Sequence, residues 1–265
     1  MHYLGNKPDF NKCISIVGTR NCSQAGLQFT QALVELLVKS NYTVVSGLAR
    51  GIDSIAHRST LKHKGKTIAI LPWLPDIYPP EHKILSEEIT ENGTVVSEIM
   101  GGKSGAYAFI RRNELIAAVS QATIAIEGGP NSGTKYAPTY GHKMNKLVII
   151  PELSYTQKNN PRYKELKDGF LKLKDSHAIV VGHPNEIIDI LDINSILTNN
   201  QIKPLDQLRE EHKDNKTIKN TNAETPYKKL IQQKEYQASL TTQTKTQNTT
   251  KPKPKKPTTI DDFNA

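Results

Sequence analysis

Ser46-Gly-Leu-Ala-Arg-Gly-Ile-Asp-Ser-Ile-Ala-His57 decides how this chain folds. It follows a short β-branched run, Tyr42-Thr-Val-Val45, and passes straight into an apolar-periodic segment marked by Ile52, Ile55, Ala56 and Leu61. The pattern reads as strand, glycine turn, helix. Gly47 and Gly51 allow a tight turn and leave room for a ligand. The helix N-terminus behind them carries N–H groups without intrahelical partners and the positive end of a dipole, which suits phosphate. Asp53 in the first helical turn complements that dipole.

The same unit recurs on both sides. Cys13–Val17 is a strand ending in Gly18-Thr19-Arg20, followed by a helix with Ser23 as N-cap. Further strands fall at Thr67–Leu71, Thr94–Glu98, Ala122–Glu127, Lys146–Ile150 and Ala178–Val181. All are continuous apolar runs, the mark of strands buried on both faces. Helices are expected over Glu81–Glu91, Arg111–Gln121, Arg162–Lys174 and Pro184–Leu191, with Ile99–Phe109 a glycine-rich loop. Pro138 lies inside another helix pattern and predicts a kink or a short first segment there. Such alternation gives an α/β, Rossmann-like, doubly wound and mostly parallel sheet with right-handed crossovers. Sheets of this kind bind ligands beyond the carboxyl ends of their strands, and every glycine-rich stretch here falls at such an end. One ligand cleft is the expectation.

That domain is assigned to residues 1–192 and a basic, disordered tail to 193–265. Residues 201–265 hold thirteen Lys/Arg and eight Asp/Glu with few large apolar residues, and Thr241–Thr259 is Thr/Gln/Lys/Pro low complexity. Such a segment buries too little surface to offset chain entropy.

The net charge of +9 over 265 residues suits a polyanionic partner. Cys13 and Cys22 form neither a disulfide framework nor a metal pattern. His57, His63, His82 and His142 lack metal-ligand spacing, and no nucleophile–base constellation is readable, so neither metal nor cofactor is expected. No apolar run approaches the ~20 residues that span a bilayer. The N-terminal Met1-His-Tyr-Leu-Gly-Asn-Lys-Pro8 lacks a signal peptide's apolar core. A cytoplasmic location without a membrane follows as the expectation.

The wording of five stretches is more specific than their spacing. S-G-L-A-x-G-I-D-x-x-A-H at 46–57 is similar to the signature of the DprA/Smf family, DNA-processing proteins that handle single-stranded DNA. Gly18-Thr19-Arg20 resembles the G-S-R or G-T-R of that family, whose Arg helps hold a nucleic-acid backbone. Phe109-Ile-Arg-Arg-Asn-Glu-Leu-Ile-Ala117 resembles F-x-x-R-N-R-x-I-A, with Glu114 in place of the second Arg. Glu127-Gly-Gly-Pro-Asn-Ser-Gly-Thr134 resembles E-A-x-x-x-S-G-T, with Lys135 placed to substitute for the basic residue that often precedes S-G. Asp76-Ile-Tyr-Pro-Pro-Glu-His82 resembles D-x-x-Y-P-x-x-N one residue shorter, with His82 for Asn and Pro72-Trp73-Leu74 replacing a Gly-x-Gly. Trp73, flanked by prolines, fits the core better than a stacking surface.

The resemblance implies binding of single-stranded DNA without strong sequence preference and help in loading a RecA-type recombinase, in natural transformation, recombination or repair. It leaves a homodimer open. The DNA/phosphate-binding set is Gly18, Thr19, Arg20, Ser46, Gly47, Arg50, Gly51, Phe109, Arg111, Arg112, Asn113, Ser132, Gly133, Thr134 and Lys135. Arginines make bidentate phosphate contacts, turn N–H groups hold the backbone, and Phe109 stacks on a base. The implied mechanism is binding, not bond making, so no enzyme is expected. A nucleotide-binding sensor and a phosphoribohydrolase are the alternatives for the same cleft. The Gly-Gly at 128–129 also resembles the P-G-G-x-G-T-x-x-E motif of the lysine-decarboxylase-like phosphoribohydrolases, but Lys135–Pro138 contains no Glu for their acid/base chemistry.

Overall fold

A computed structural model describes residues 1–101, 105–129, 131–153, 163–174 and 178–198. The tail expected to be disordered from 193 overlaps the helix Pro184–Thr198 over its first six residues, and its remainder, 199–265, lies outside the described residues. The described chain runs β1 (His2–Gly5), β2 (Cys13–Val17), α1 (Gln24–Lys39), β3 (Thr43–Ser46), α2 (Ile52–Lys62), β4 (Thr67–Ile70), α3 (Lys83–Asn92) and β5 (Thr94–Ser97). It continues with α4 (Gly105–Val119), β6 (Ala122–Ala125), α5 (Tyr136–Lys143), β7 (Leu147–Pro151), α6 (Tyr163–Lys174), β8 (Ile179–Val181) and α7 (Pro184–Thr198).

All eight strands form one sheet in the order β1-β5-β4-β3-β2-β6-β7-β8. Seven are parallel and β1 alone runs antiparallel, against β5. The chain winds outward from β2 through β3 and β4 to β5, then returns to the other side of β2 and winds outward again through β6, β7 and β8. The loops after β2 and β6 therefore diverge at a topological switch point, where such sheets open a crevice.

Strand periodicity sends alternate residues to opposite layers. Ile14, Ile16, Val44, Ile124 and Ile149 pack with α1, α2 and α7 on one face. Val17, Val45, Ile68, Ile70 and Ile150 meet α4, α5 and α6 on the other. Leu85 and Ile89 of α3 cover Ala69, Leu71 and Val95 near the β1 edge. Ser23 caps α1 as expected, its Oγ accepting from Gly26 N–H at 3.0 Å. Burial pushes the Cys13 thiol up to about 12, so it packs as a small apolar group. No helix of the described residues is long and apolar enough to cross a membrane.

Three elements depart from the sequence expectation. β1 carries no core pattern; all four of its residues are exposed, and it exists through pairing His2–Gly5 with Thr94–Ser97. α4 begins at Gly105, six residues before the expected Arg111, so Phe109 lies within the helix. α7 runs on to Thr198. Pro138 produces the short first segment: a 3-10 turn over Gly133–Lys135 precedes α5, and Pro138 sits in the first α turn, where its missing N–H costs little.

Candidate functional site

The turns after β2 and β3 are interlocked. Gly51 has φ +72°, and a Cβ there would lie 2.3 Å from the Thr19 carbonyl oxygen. A Cβ on Gly18 would lie 2.5 Å from the Ile52 side chain. Ile52 N–H donates to Thr19 O at 3.2 Å and Ser54 N–H to Ala49 O at 3.1 Å. The start of α2 was expected to offer its N–H groups to phosphate. These donors instead bind the neighbouring main chain, so the turn is a scaffold that fixes Arg20 and Arg50 rather than an open cradle. Leu48, fully buried at φ +57°, adds strain to it. His82 Nδ1 lies 2.7 Å from the Leu48 carbonyl and ties the proline-rich loop to the same turn.

The room at Gly47 was read as space for a ligand. It is filled by Arg112: a Cβ on Gly47 would sit 1.2 Å from Arg112 Nη1. Nη1 lies 3.6 Å from Asp53 Oδ2, and both side chains are more than nine-tenths buried. Asp53 also accepts from Gly47 N–H at 3.2 Å and Ala49 N–H at 3.4 Å. Burial pushes the Asp53 carboxyl above the usual carboxylate range and the Arg112 guanidinium below its own; desolvation outweighs their mutual attraction. Arg112 Nε has no hydrogen-bond partner among the described residues.

Two compartments meet over Arg20, Ala49, Phe109 and Arg112. The larger, about 550 Å³, opens at the switch point between Gly18–Arg20, the α4 face carrying Phe109 and Asn113, and Ser132–Thr134. The smaller, about 190 Å³, lies between Arg50, Tyr78, Phe109 and Pro72, Pro79 and Pro80. Phe109 is not a bare stacking platform. Its ring meets Trp73 at 5.5 Å and Tyr78 at 5.4 Å, both edge-on, and Trp73 meets Tyr78 at 5.7 Å. Trp73 is buried at 5% exposure while Tyr78 is 39% exposed, so Trp73 backs the pair and Tyr78 faces outward. Tyr78 was missed as a site residue; its Y-P-P setting was the available signal.

The cations differ in availability. Arg20 is exposed and has no ion-pair partner among the described residues. Arg50 is paired with Glu81 at the rim of the smaller compartment. Arg111 lines neither compartment and lies between Glu98 at 3.4 Å and Glu114 at 2.8 Å. Lys135 also stands outside, its Nζ 5.6 Å from the Tyr136 ring centroid. Ser46 is buried, its hydroxyl donating to Ile16 O at 2.6 Å. Ser132 Oγ is buried beside the larger compartment and, unlike Ser23, caps nothing among the described residues.

Two further groups belong to the frame. Glu127 is 1% exposed and accepts from both the N–H of Ser23, at 2.8 Å, and its hydroxyl, which fixes it at the start of α1. His57 is fully buried with Nδ1 2.7 Å from Thr67 Oγ1, and burial drives its pKa down to about 3.

The family profile described as DNA recombination-mediator protein A matches residues 1–192. Protein Smf of Synechocystis is 36% identical over 190 residues, covering 71% of this chain and 46% of that protein. Protein Smf of Escherichia coli is 36% identical over 182 residues, 67% and 46% of the two chains. The chain spans about half the length of these curated relatives. DNA processing protein A of Streptococcus pneumoniae superposes with a TM-score of 0.61 at 29% identity, over 71% of this chain and 64% of that one. Its counterpart from Helicobacter pylori gives 0.63 at 26%, over 72% and 86%. With a profile match across the whole described sheet, this chain belongs to the DNA recombination-mediator protein A family.

Proposed function

We propose that the chain binds single-stranded DNA in the cleft at the switch point and passes it to a RecA-type recombinase. The observation that carries this is Arg20: a free guanidinium at the strand end, shared by both compartments and flanked by the Tyr78–Phe109 aromatic pair. A cation beside exposed aromatic rings is the composition of a strand-binding groove. The Helicobacter pylori relative has a single-stranded DNA binding mode, which supports the same ligand here. The family's description as a recombination mediator supports the recombinase as partner. The basic segment 193–265 adds electrostatic attraction that reads no sequence, and the cytoplasm is where such a protein would work.

The chemistry favours binding over bond making. The two carboxylates lining the cleft, Asp53 and Glu81, are each ion-paired with an arginine, and Glu127 is occupied at α1. A labelled thymidine oligomer, titrated with nucleoside monophosphates as competitors, tests the reading. Tight binding that millimolar monophosphate fails to displace supports it. Displacement at micromolar monophosphate favours a nucleotide-binding sensor instead.

A further inference from the structure

A row of free lysines lies at the end of the sheet opposite the cleft. At the amino ends of the strands Lys12 enters β2, Lys66 enters β4, and Lys7 follows the antiparallel β1. All three are exposed and have no ion-pair partner among the described residues. At the carboxyl ends, by contrast, Arg50, Arg111 and Arg112 are all ion-paired. Main-chain bonds fix where the lysines stand: Thr43 N–H donates to Lys12 O at 2.9 Å, Val44 N–H to Lys66 O at 3.0 Å, and Asn6 N–H to Gly93 O at 3.0 Å. In the strand order they are two strands apart, so they step across the sheet at about 10 Å each, from a strand spacing of ~4.8 Å. Between Lys7 and Lys66 lies a groove of about 90 Å³ whose walls include Asn6, Thr43, Asn92 and one carboxylate, Asp9. Helix chemistry does not account for the row. Lys39 and Lys62 close α1 and α2 at this end, where they answer the negative end of the helix dipole. Lys7, Lys12 and Lys66 lie outside every described helix, and Lys12 holds φ +50°, a left-handed conformation more usual for Gly or Asn.

From this we infer that the amino-end face is a second nucleic-acid site, one that takes the phosphate backbone of duplex DNA. A row about 20 Å long faces about eleven duplex phosphates, at one charge per ~1.7 Å of helix axis. Lysines are flexible point charges that meet phosphate without demanding a planar geometry. The face offers no ring to an unstacked base, since Tyr42 is buried and Phe10 half-buried. The cleft, with Tyr78 and Phe109, suits bases that have left their stack. The lysine row suits a backbone whose bases are already stacked and paired, and it reads no sequence. Duplex binding at this end does not depend on strand binding in the cleft.

The test uses the full chain, a labelled ~20-base-pair duplex, which outreaches the row at ~3.4 Å per pair, and a thymidine oligomer of the same length. Lys7→Gln, Lys12→Gln and Lys66→Gln together should weaken duplex binding at least about tenfold at low salt and reduce the log–log salt slope by about 2.7, at ~0.9 per contact. They should leave the affinity for the thymidine oligomer nearly unchanged, while Arg20→Ala should do the reverse. Lys66→Gln alone should remove about 0.9 of the duplex slope, and it decides even if the triple variant does not fold. Lys83→Gln, at an exposed lysine that starts α3 near the other end of the sheet, should remove none. A triple variant that binds duplex like wild type overturns the site. So does an equal loss in Lys83→Gln, which would make the effect one of net charge alone. Loss confined to the thymidine oligomer overturns the assignment to duplex. Duplex loss in the lysine variants, with thymidine binding indifferent to Arg20→Ala, overturns the cleft reading and leaves the amino-end site standing.

Discussion

The guanidinium of Arg112 occupies the space that a side chain at Gly47 would need, with Nη1 1.2 Å from where a Cβ would lie. Two motifs 65 residues apart in the chain are thus one device: the glycine of the β3 turn exists for the arginine of α4. The two arginines of the cleft then have unlike roles. Arg112→Ala leaves Asp53 buried without its partner and should cost about 3–5 kcal/mol of stability. Gly47→Ala should act in the same direction by driving Arg112 out. Arg20→Ala, at an exposed position, should leave the chemical denaturation midpoint nearly unchanged. Equal midpoints for Arg112→Ala and Arg20→Ala would contradict this division.

His57 predicts an acid-sensitive fold. Its pKa falls from the usual 6.5 to about 3 on folding, so between those values the unfolded chain binds a proton that the folded chain refuses. Stability from this group is complete above pH 6.5 and is lost on acidification at about 1.4 kcal/mol per pH unit. Asp53, raised by burial, acts in the opposite sense, gaining stability as pH falls. The difference between wild type and His57→Gln, measured by urea denaturation from pH 7 to pH 4, isolates the histidine. Parallel profiles would refute the assignment.

Glu81 holds Arg50 at the cleft rim, so Glu81→Gln should free a cation and tighten strand binding about two- to fivefold, the scale of one exposed ion pair. The gain should shrink as salt rises, since the liberated contact is itself screened. Unchanged or weaker binding at low salt would show that Arg50 does not meet the strand.

Glu127→Gln should lower stability by about 1–2 kcal/mol, because it weakens the anionic acceptor at the start of α1. It should leave strand binding intact. The wild-type chain should release no base from nucleoside monophosphates. Turnover that disappears in Glu127→Gln would reverse this and make Glu127 a catalytic acid or base.

The sheet was legible because β2 to β8 are short apolar runs whose burial on both faces leaves a direct trace in the sequence. β1 left none. His2–Gly5 is exposed throughout and is a strand only through its partner Thr94–Ser97, a tertiary contact that no local pattern encodes. The start of α4 was hidden by Gly101, Gly102 and Gly105, which read as loop although the helix begins on the last of them. At the site, residue types were legible and their allegiances were not. Gly47 and Gly51 stood out as glycines, but that their open sides face Arg112 and Thr19–Arg20 depends on packing across the sheet. Phe109 stood out as an aromatic among arginines, while its neighbours Trp73 and Tyr78 come from a loop more than thirty residues earlier.

The claim that the switch-point cleft is the strand site is tested most directly at Arg20. Fluorescence anisotropy with a ~20-nucleotide thymidine oligomer, longer than the ~4–16 nucleotides of single-fold strand sites, is followed across a salt series for wild type and Arg20→Ala. Loss of one phosphate contact should weaken binding to all sequences alike and reduce the log–log salt slope by about 0.7. Identical affinity and slope for the two proteins at every salt concentration would contradict the account.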